Sequence, residues 1–297
     1  ELLFAVAVAS KDLGMKTLLA LLQSSRPISW INTAFPFAAT YVFFTDTIDL
    51  TLIIGTLFFL IPYNLLMYGI NDVFDYESDL RNPRKGGIEG ALLDKRLHKL
   101  TIWASALSCL PFVIYLLLVV SVWSGLALVF ALFTVLAYSV KGLRFKEKPF
   151  LDSITSASHF VNPAIFAALL VGESLAQPVL WQSLIAFFCW GMASHAFGAV
   201  QDIRADREAE IASIATVIGA RATTRFAFVL YLAAGLLMAT AGWPASAAAI
   251  AAVPYLAILL PFLSITDETC ETANHGWRRF IWLNFFAGAI VTQLLIS

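Results

Sequence analysis

Five aspartates form the most distinctive chemical pattern in this chain, and they occur in two groups. Asp72, Asp75 and Asp79 follow one long apolar stretch, and at 100° of rotation per helical residue their side chains point within about 60° of one another. Asp202 and Asp206 follow another apolar stretch and share one helical face. Carboxylates this close repel one another unless cations lie among them. Because Mg²⁺ binds carboxylates together with substrate phosphates, the pattern predicts a Mg²⁺-diphosphate site.

The apolar stretches that carry these aspartates are long enough to cross a membrane. The chain is 60% hydrophobic and 13% charged, with a mean hydropathy of +0.80, which excludes an ordinary soluble domain. Windows of roughly 20 apolar residues match a hydrocarbon layer of ~30 Å. Nine such windows occur, at 28–45, 50–71, 98–120, 122–139, 151–171, 178–200, 223–242, 244–263 and 278–296. We therefore predict an all-α fold, a polytopic membrane bundle of nine transmembrane helices with cytoplasmic helical loops capping a central cavity.

The distribution of charge predicts the topology. All 19 lysines and arginines lie in the N-terminal segment or in alternate links between the spans. By the positive-inside rule, the N-terminus and these links are cytoplasmic and the ninth span ends outside. Spans two and six both run inward, so both aspartate groups are predicted at the cytoplasmic face. Asp72 and Asp202 are 130 residues and four spans apart, which indicates two parallel four-helix repeats.

We divide the chain into an N-terminal cytoplasmic segment, residues 1–25, and a single membrane domain, residues 26–297. The apolar run 2–9 is too short to span a bilayer and lacks the basic lead-in of a signal peptide, so residues 1–14 are left out of the fold prediction. The three cysteines are widely spaced and include no C-x-x-C pair. We expect them to be reduced and structural.

Basic residues in the cytoplasmic links are candidates to hold a diphosphate. Charge develops on a leaving diphosphate as its allylic C–O bond breaks, so fixed cations stabilise the transition state more than the ground state. Lys85 follows Arg84 in a glycine-containing turn after the first aspartate group, and Lys141 begins a basic segment that also holds Lys146. We favour Lys85 and Lys141. For each, a role in topology or in lipid headgroup contact is the alternative.

Two residues within the spans are candidates for the reaction itself. Tyr68 lies one turn before Asp72 on the same face, where its ring could stabilise an allyl cation. His195 precedes Asp202 by seven residues, which places it on the same stripe one to two turns deeper as a candidate proton acceptor. A histidine hydrogen-bonded inside the bundle is the alternative. Interhelical hydrogen bonds are the expected role of the span asparagines Asn32, Asn64 and Asn162.

The motif Asn71-Asp72-x-x-Asp75-x-x-x-Asp79, together with Asp202-x-x-x-Asp206 on a chain of nine spans, resembles the UbiA superfamily of intramembrane prenyltransferases. In that family two aspartate-rich helix ends bind two Mg²⁺ ions, which hold the diphosphate of an isoprenyl donor. The resemblance assigns this role to the five aspartates and Asn71, and it adds Arg26 and Arg144 as diphosphate-binding residues. Arg204 and Ala205 stand where quinone-making members have Glu-Gly, which argues against a quinone acceptor by default.

Several further stretches resemble the branch of this family that elongates lycopene to C50 carotenoids in actinobacteria. This resemblance implies dimethylallyl diphosphate as donor, lycopene or another isoprenoid as acceptor, and a bacterial plasma membrane as location. It also implies transfer to both ends of lycopene, giving C45 and then C50 products. The stretches are Ser24–Trp30, Pro62–Asn64, Met67–Ile70, Arg81–Gly87, Trp190–Ser194 and Ser213–Arg221.

Two other functions remain open at this point. A prenyltransferase of the same family could act on an aromatic or quinone precursor, although the sequence offers no identifiable polar residues to orient such a ring. A transporter of cations or phosphorylated metabolites also uses carboxylates within a membrane, but it predicts charges near the bilayer midplane. Here the charges gather at one face. We expect membrane lipid, and no nucleic acid, among the partners.

Overall fold

Helices account for most of residues 14–80 and 92–296, which are the residues that the structure, a computed structural model, describes. No strand occurs in these two ranges. We label the nine longest helices in chain order: α1 Ile31–Thr45, α2 Leu50–Phe74, α3 Lys95–Val119, α4 Val122–Ser139, α5 Leu151–Leu170, α6 Pro178–Val200, α7 Ile214–Ala239, α8 Ala245–Phe262 and α9 Asp267–Ile296.

Eight of these helices, α2 to α9, have the length and hydropathy needed to cross a bilayer. The ninth, α1, has 15 residues and follows a short 3₁₀ turn at Pro27–Ser29. The predicted all-α membrane bundle is therefore confirmed, with eight full spans and one shorter helix among the described residues.

Helices α7 and α9 begin earlier than the hydropathy windows predicted, because polar residues continue both helices beyond their apolar parts. The first turn of α7 is capped by Ser213, whose hydroxyl accepts from the backbone N–H of Thr216. A kink follows at Gly219, where φ is 80° and ψ is 165°. A hydropathy window detects only the apolar part of such a helix, so it missed the first turns.

Buried aromatic rings hold the helices together. Phe37 of α1 lies 5.2 Å from Phe59 of α2 and 5.9 Å from Phe166 of α5, measured between ring centroids. Tyr231 of α7 stacks on Tyr255 of α8 at 4.8 Å. Such rings bury large apolar areas at a low cost in side-chain freedom. Because α5 also contacts α6, and α9 contacts α1, the helices surround a central space.

The close packing of α5 against α6 depends on a glycine. A Cβ atom at Gly191 of α6 would lie 2.9 Å from the Cα atom of Ala157 on α5. Any larger residue would push the two helices apart.

A helix over residues 14–24 precedes α1, and the turn between them positions Arg26. Ser25 is buried, and its carbonyl accepts a hydrogen bond of 3.0 Å from the indole of Trp30. Arg26 has a left-handed backbone conformation, with φ of 50°. The boundary between the two predicted parts of the chain stays a prediction, and residues 1–13 lie outside the described residues.

Candidate active site

The two aspartate groups lie at matched breaks in α2 and α6. Asp75 follows the end of α2 with φ of −97° and ψ of −2°, and Asp202 near the end of α6 has φ of −96° and ψ of −5°. Each begins a further turn in which the amide of the next aspartate donates 2.8 Å to its carbonyl, from Asp79 in one case and Asp206 in the other. The structure therefore matches Asp75 and Asp79 with Asp202 and Asp206.

This match corrects the repeat register suggested by the sequence. The spacing had aligned Asp72 with Asp202, an interval of 130 residues. The helix breaks instead align Asp75 with Asp202, three residues further along. The position of the helix break, and not that of the first acidic residue, determines which side chains face each other.

A cavity of about 610 Å³ opens between the two helix breaks. Asp75 and Asp79 line one side of it, and Asp202 and Asp206 line the other. Asp72 is 1% exposed and does not line the cavity, although it lies only three residues before Asp75. Four of the five predicted aspartates therefore line one cavity, and the fifth, Asp72, is buried behind the cavity wall.

Arg26 connects the buried Asp72 to the cavity. Its guanidinium donates to Asp72 at 3.0 Å and lies over the ring of Tyr68, 4.4 Å from the centroid. Both Arg26 and Tyr68 line the cavity. Nε of Arg26 is buried and has no hydrogen-bond partner within the described part of the chain. Asp72 and Tyr68 thus hold a cation that keeps a spare donor.

A second cation, Lys146, comes from the turn between α4 and α5. Its ammonium contacts Asp75 and lies 3.4 Å from the side-chain oxygen of Asn71. Ser139 donates to the same oxygen of Asn71 at 3.0 Å. Burial lowers the pKa of Lys146 to about 8, against the opposing effect of Glu147 and Asp206. Lys146 and Asn71 both line the cavity.

The other predicted diphosphate ligands have different positions. Arg144 lies 3.6 Å from Asp75 and forms an ion pair with Glu147. Lys141 is exposed and does not line the cavity, so the structure does not place it at the site. Lys146, from the same basic segment, lies there instead. The prediction for Lys85 falls outside the described residues.

The inner end of the cavity carries two histidines. Nε2 of His195 lies 3.1 Å from the hydroxyl of Tyr138, and its Nδ1 lies 3.1 Å from the hydroxyl of Ser153. His195 lines the cavity and at the same time has the hydrogen bonds of a structural histidine. His159, which the sequence did not single out for chemistry, also lines the cavity and packs edge-on against Tyr138 at 5.2 Å.

Of the three asparagines within the spans, two form interhelical hydrogen bonds and one lines the cavity. Asn64 donates to the hydroxyl of Thr33 at 2.7 Å, and Asn162 donates to that of Thr134 at 3.2 Å. These interhelical hydrogen bonds confirm the prediction for both residues. Asn32 instead lines the cavity, a placement that no feature of its sequence neighbourhood distinguishes.

The donor set fits Mg²⁺ bound jointly with a phosphate ligand. Among the described residues, no three His, Cys, Asp or Glu side chains converge into a metal site complete in itself. Mg²⁺ is commonly held by one or two carboxylates plus substrate phosphates. Carboxylates on facing walls, with Arg26 and Lys146 beside them, leave room for such a shared complex.

A second cavity, of about 210 Å³, adjoins the first. It lies between α1, α6, α7, α8 and α9, and its lining includes Phe35, Phe187 and Leu295. None of the described residues that line it is charged. The two cavities share Asn32, Trp190 and Asn284. A polar chamber therefore meets an apolar one at these three side chains.

Comparison with known proteins gives consistent matches. The model of the UbiA prenyltransferase family matches residues 33–286. The C(50) beta-cyclic carotenoids biosynthesis protein of Dietzia sp. (strain CQ4) is 56% identical over 280 residues, which is 94% of this chain. The chain spans 65% of the length of that protein. A lycopene elongase/hydratase of Corynebacterium glutamicum is 51% identical over 283 residues, covering 95% of this chain and 98% of the relative.

Solved structures share the fold. A UbiA homolog from Archaeoglobus fulgidus bound to DMAPP and Mg²⁺ superimposes with a TM-score of 0.63 at 19% identity. The superposition covers 91% of this chain and 99% of that one. At this identity the likeness supports the fold alone.

Proposed function

The chain belongs to the UbiA prenyltransferase family, and from that premise we propose that it transfers dimethylallyl groups from their diphosphate to the ends of lycopene, giving C45 and C50 carotenoids. The name of the Corynebacterium glutamicum relative, lycopene elongase/hydratase, supports this acceptor, and 98% of the length of that relative is matched. The transporter alternative is set aside, because the family match makes the chain a prenyltransferase.

The polar cavity is the proposed donor site. Asp75, Asp79, Asp202 and Asp206 would hold two Mg²⁺ ions, which neutralise the charge of the diphosphate when bound. The hydrogen bond that Ser139 donates to Asn71 holds the Asn71 side chain in place at this end of the cavity. Asp72 contributes by fixing Arg26.

Departure of the diphosphate is the step that the cations favour. As the allylic C–O bond breaks, its electron pair moves onto the diphosphate. Arg26 and Lys146 are already held at the cavity wall, so they meet the developing charge without reorganisation. Arg144 supports this end through its pairing with Asp75 and Glu147.

The allyl cation is then enclosed by aromatic rings. Tyr68, Tyr138, Phe160 and Trp190 line the cavity, and the negative faces of such rings stabilise a cation. The terminal C=C of the acceptor donates its π electrons to the allyl carbon, which forms the new C–C bond and leaves a tertiary cation on the acceptor.

The adjacency of the two cavities, which share Asn32, Trp190 and Asn284, is the observation that supports the choice of acceptor. An acceptor that enters along the apolar cavity reaches the donor site at Trp190. A long hydrocarbon fits this uncharged lining, whereas an aromatic acid or quinone precursor would leave its polar groups without charged partners there. We place the protein in the bacterial plasma membrane, with the aspartates at the cytoplasmic face.

The test is expression in a lycopene-accumulating bacterium that supplies dimethylallyl diphosphate, with pigments resolved by chromatography and mass spectrometry. We expect new C45 and C50 species. In isolated membranes their formation should stop in EDTA and resume when Mg²⁺ is added.

The test variant is Asp75→Asn, and its matched control is Asp46→Asn. Asp75→Asn removes a carboxylate from the cavity and should lower product formation by at least about 10²-fold, since removing one preorganised electrostatic group costs about this much. Asp46 is exposed in the link between α1 and α2, and its replacement should change little. Unchanged lycopene beside a prenylated aromatic compound would instead favour the other acceptor class.

A further inference from the structure

His159 has a buried nitrogen that no other residue uses. The residue is 3% exposed, and Nε2 has no hydrogen-bond partner within the described part of the chain. The ring lines the polar cavity. A buried, unsatisfied nitrogen costs free energy, so its retention at a cavity wall points to a partner that arrives with the substrate.

The depth of His159 matches the place where a carbocation would be discharged. It lies seven residues after Asp152, near the start of α5, which corresponds to about 10 Å along the helix at 1.5 Å per residue. His195 lies the same number of residues before Asp202. Both histidines are therefore deeper than the carboxylates, beyond the diphosphate and towards the apolar cavity.

Neighbouring groups are less suited to accept a proton. Both ring nitrogens of His195 have hydrogen-bond partners, Tyr138 and Ser153. The hydroxyl of Tyr138 is engaged with His195. Ser156, one turn before His159, is a very weak base. Nε2 of His159 is a basic nitrogen whose lone pair has no hydrogen-bond partner within the described residues.

We propose that His159 is the catalytic base that ends the reaction, an inference that rests on the proposed function and extends it. When the tertiary cation loses a proton, an adjacent C–H bond breaks, its electron pair forms a new C=C bond, and the proton moves to Nε2. When water adds instead, its oxygen bonds to the cation and the released proton moves to the same nitrogen. The imidazolium returns its proton to water as the product leaves.

The experiment compares His159→Gln, His159→Ala and the wild type in isolated membranes that contain lycopene, dimethylallyl diphosphate and Mg²⁺. Glutamine keeps the size and polarity of the side chain but accepts no proton, so product formation should fall by about 10²-fold or more. Imidazole added to His159→Ala should raise product formation at least tenfold. Ser158→Ala is the matched control, because Ser158 is the half-buried neighbour on the same helix and is not among the residues that line the cavity.

Each outcome has a distinct meaning. A rate for His159→Gln within twofold of wild type would overturn the base role. So would a loss of activity in His159→Ala that added imidazole does not restore although the variant still folds. A purely structural role predicts no rescue. Absence of C45 and C50 products from the wild-type chain would overturn the proposed acceptor itself, which separates that failure from the failure of His159.

Discussion

At the scale of single residues, the site is built from cations held by carboxylates before any substrate binds. Arg26 is fixed by Asp72, and Lys146 by Asp75. Each pair is nearly closed to solvent, where an unpaired charge would be costly. A diphosphate that enters the cavity meets charges already in place.

Lys146→Met tests this arrangement. The methionine keeps the length of the side chain but removes its charge, so we expect product formation to fall about 10²-fold, as for other single electrostatic contacts to a transition state. The matched control is Lys148→Met, because Lys148 is exposed in the same turn. Rates are measured in membranes with equal amounts of each variant. Equal losses in both variants would assign the effect to the charge of the turn as a whole.

The spacing of residues in the sequence indicates the acidic candidates more directly than the basic ones. Aspartates one helical turn apart can be recognised from their spacing in the sequence. The turn after α4 contains left-handed residues at Gly142, Arg144 and Phe150, with φ of 93°, 39° and 68°. These angles decide that Lys146 faces the cavity while Lys141 is exposed, and no spacing rule contains them.

At the scale of elements, a buried aspartate ties two helices together. The carboxylate of Asp152, at the start of α5, accepts 2.7 Å hydrogen bonds from the amides of Ser153 and Ile214. Ile214 is the first residue of α7, whose initial N–H groups have no partner within their own helix. Asp152 therefore anchors α7 beside the second aspartate group.

Asp152→Asn should destabilise this junction. The amide keeps one acceptor and places an NH₂ group against the other backbone N–H, which leaves a buried donor unsatisfied at a cost of about 1–3 kcal/mol. We expect a lower midpoint of thermal unfolding in detergent. Asp94→Asn, which alters an exposed aspartate that caps a short turn, is the control and should shift the midpoint less. Equal midpoints for the two variants would contradict the anchoring role.

Element boundaries follow from hydropathy where a helix is apolar throughout. The predicted spans 122–139 and 178–200 coincide with α4 and α6. The π-helical turn at Leu65–Gly69 and the breaks at Asp75 and Asp202 were not predictable in this way. They arise from packing and from local hydrogen bonding, and both lie next to the site.

At the scale of the whole molecule, the positive-inside rule makes a prediction of orientation that cysteine labelling can test. The three native cysteines are first replaced by alanine. Thr47→Cys, in the link between α1 and α2, should react with a membrane-impermeant maleimide in intact cells. Lys148→Cys, in the link between α4 and α5, should react only after the cells are opened. The opposite pattern would reverse the topology and place the aspartates outside.

The whole fold was the most predictable level. Nine apolar stretches and the segregation of charge were sufficient to indicate a helical membrane bundle, because the bilayer admits few alternatives. The meeting of the two cavities at Trp190 could not be inferred in the same way. It depends on residues from several helices that no local sequence pattern connects.

The size of the apolar cavity has a consequence for what the protein can discriminate. In the proposed reaction, the apolar cavity of about 210 Å³ takes one end of the acceptor, and the rest of a long polyene lies outside it. The two ends of such a molecule then bind in separate events, and each is recognised through its last few carbons. Such a site recognises the end group of its acceptor and does not select for the length of the rest of the chain.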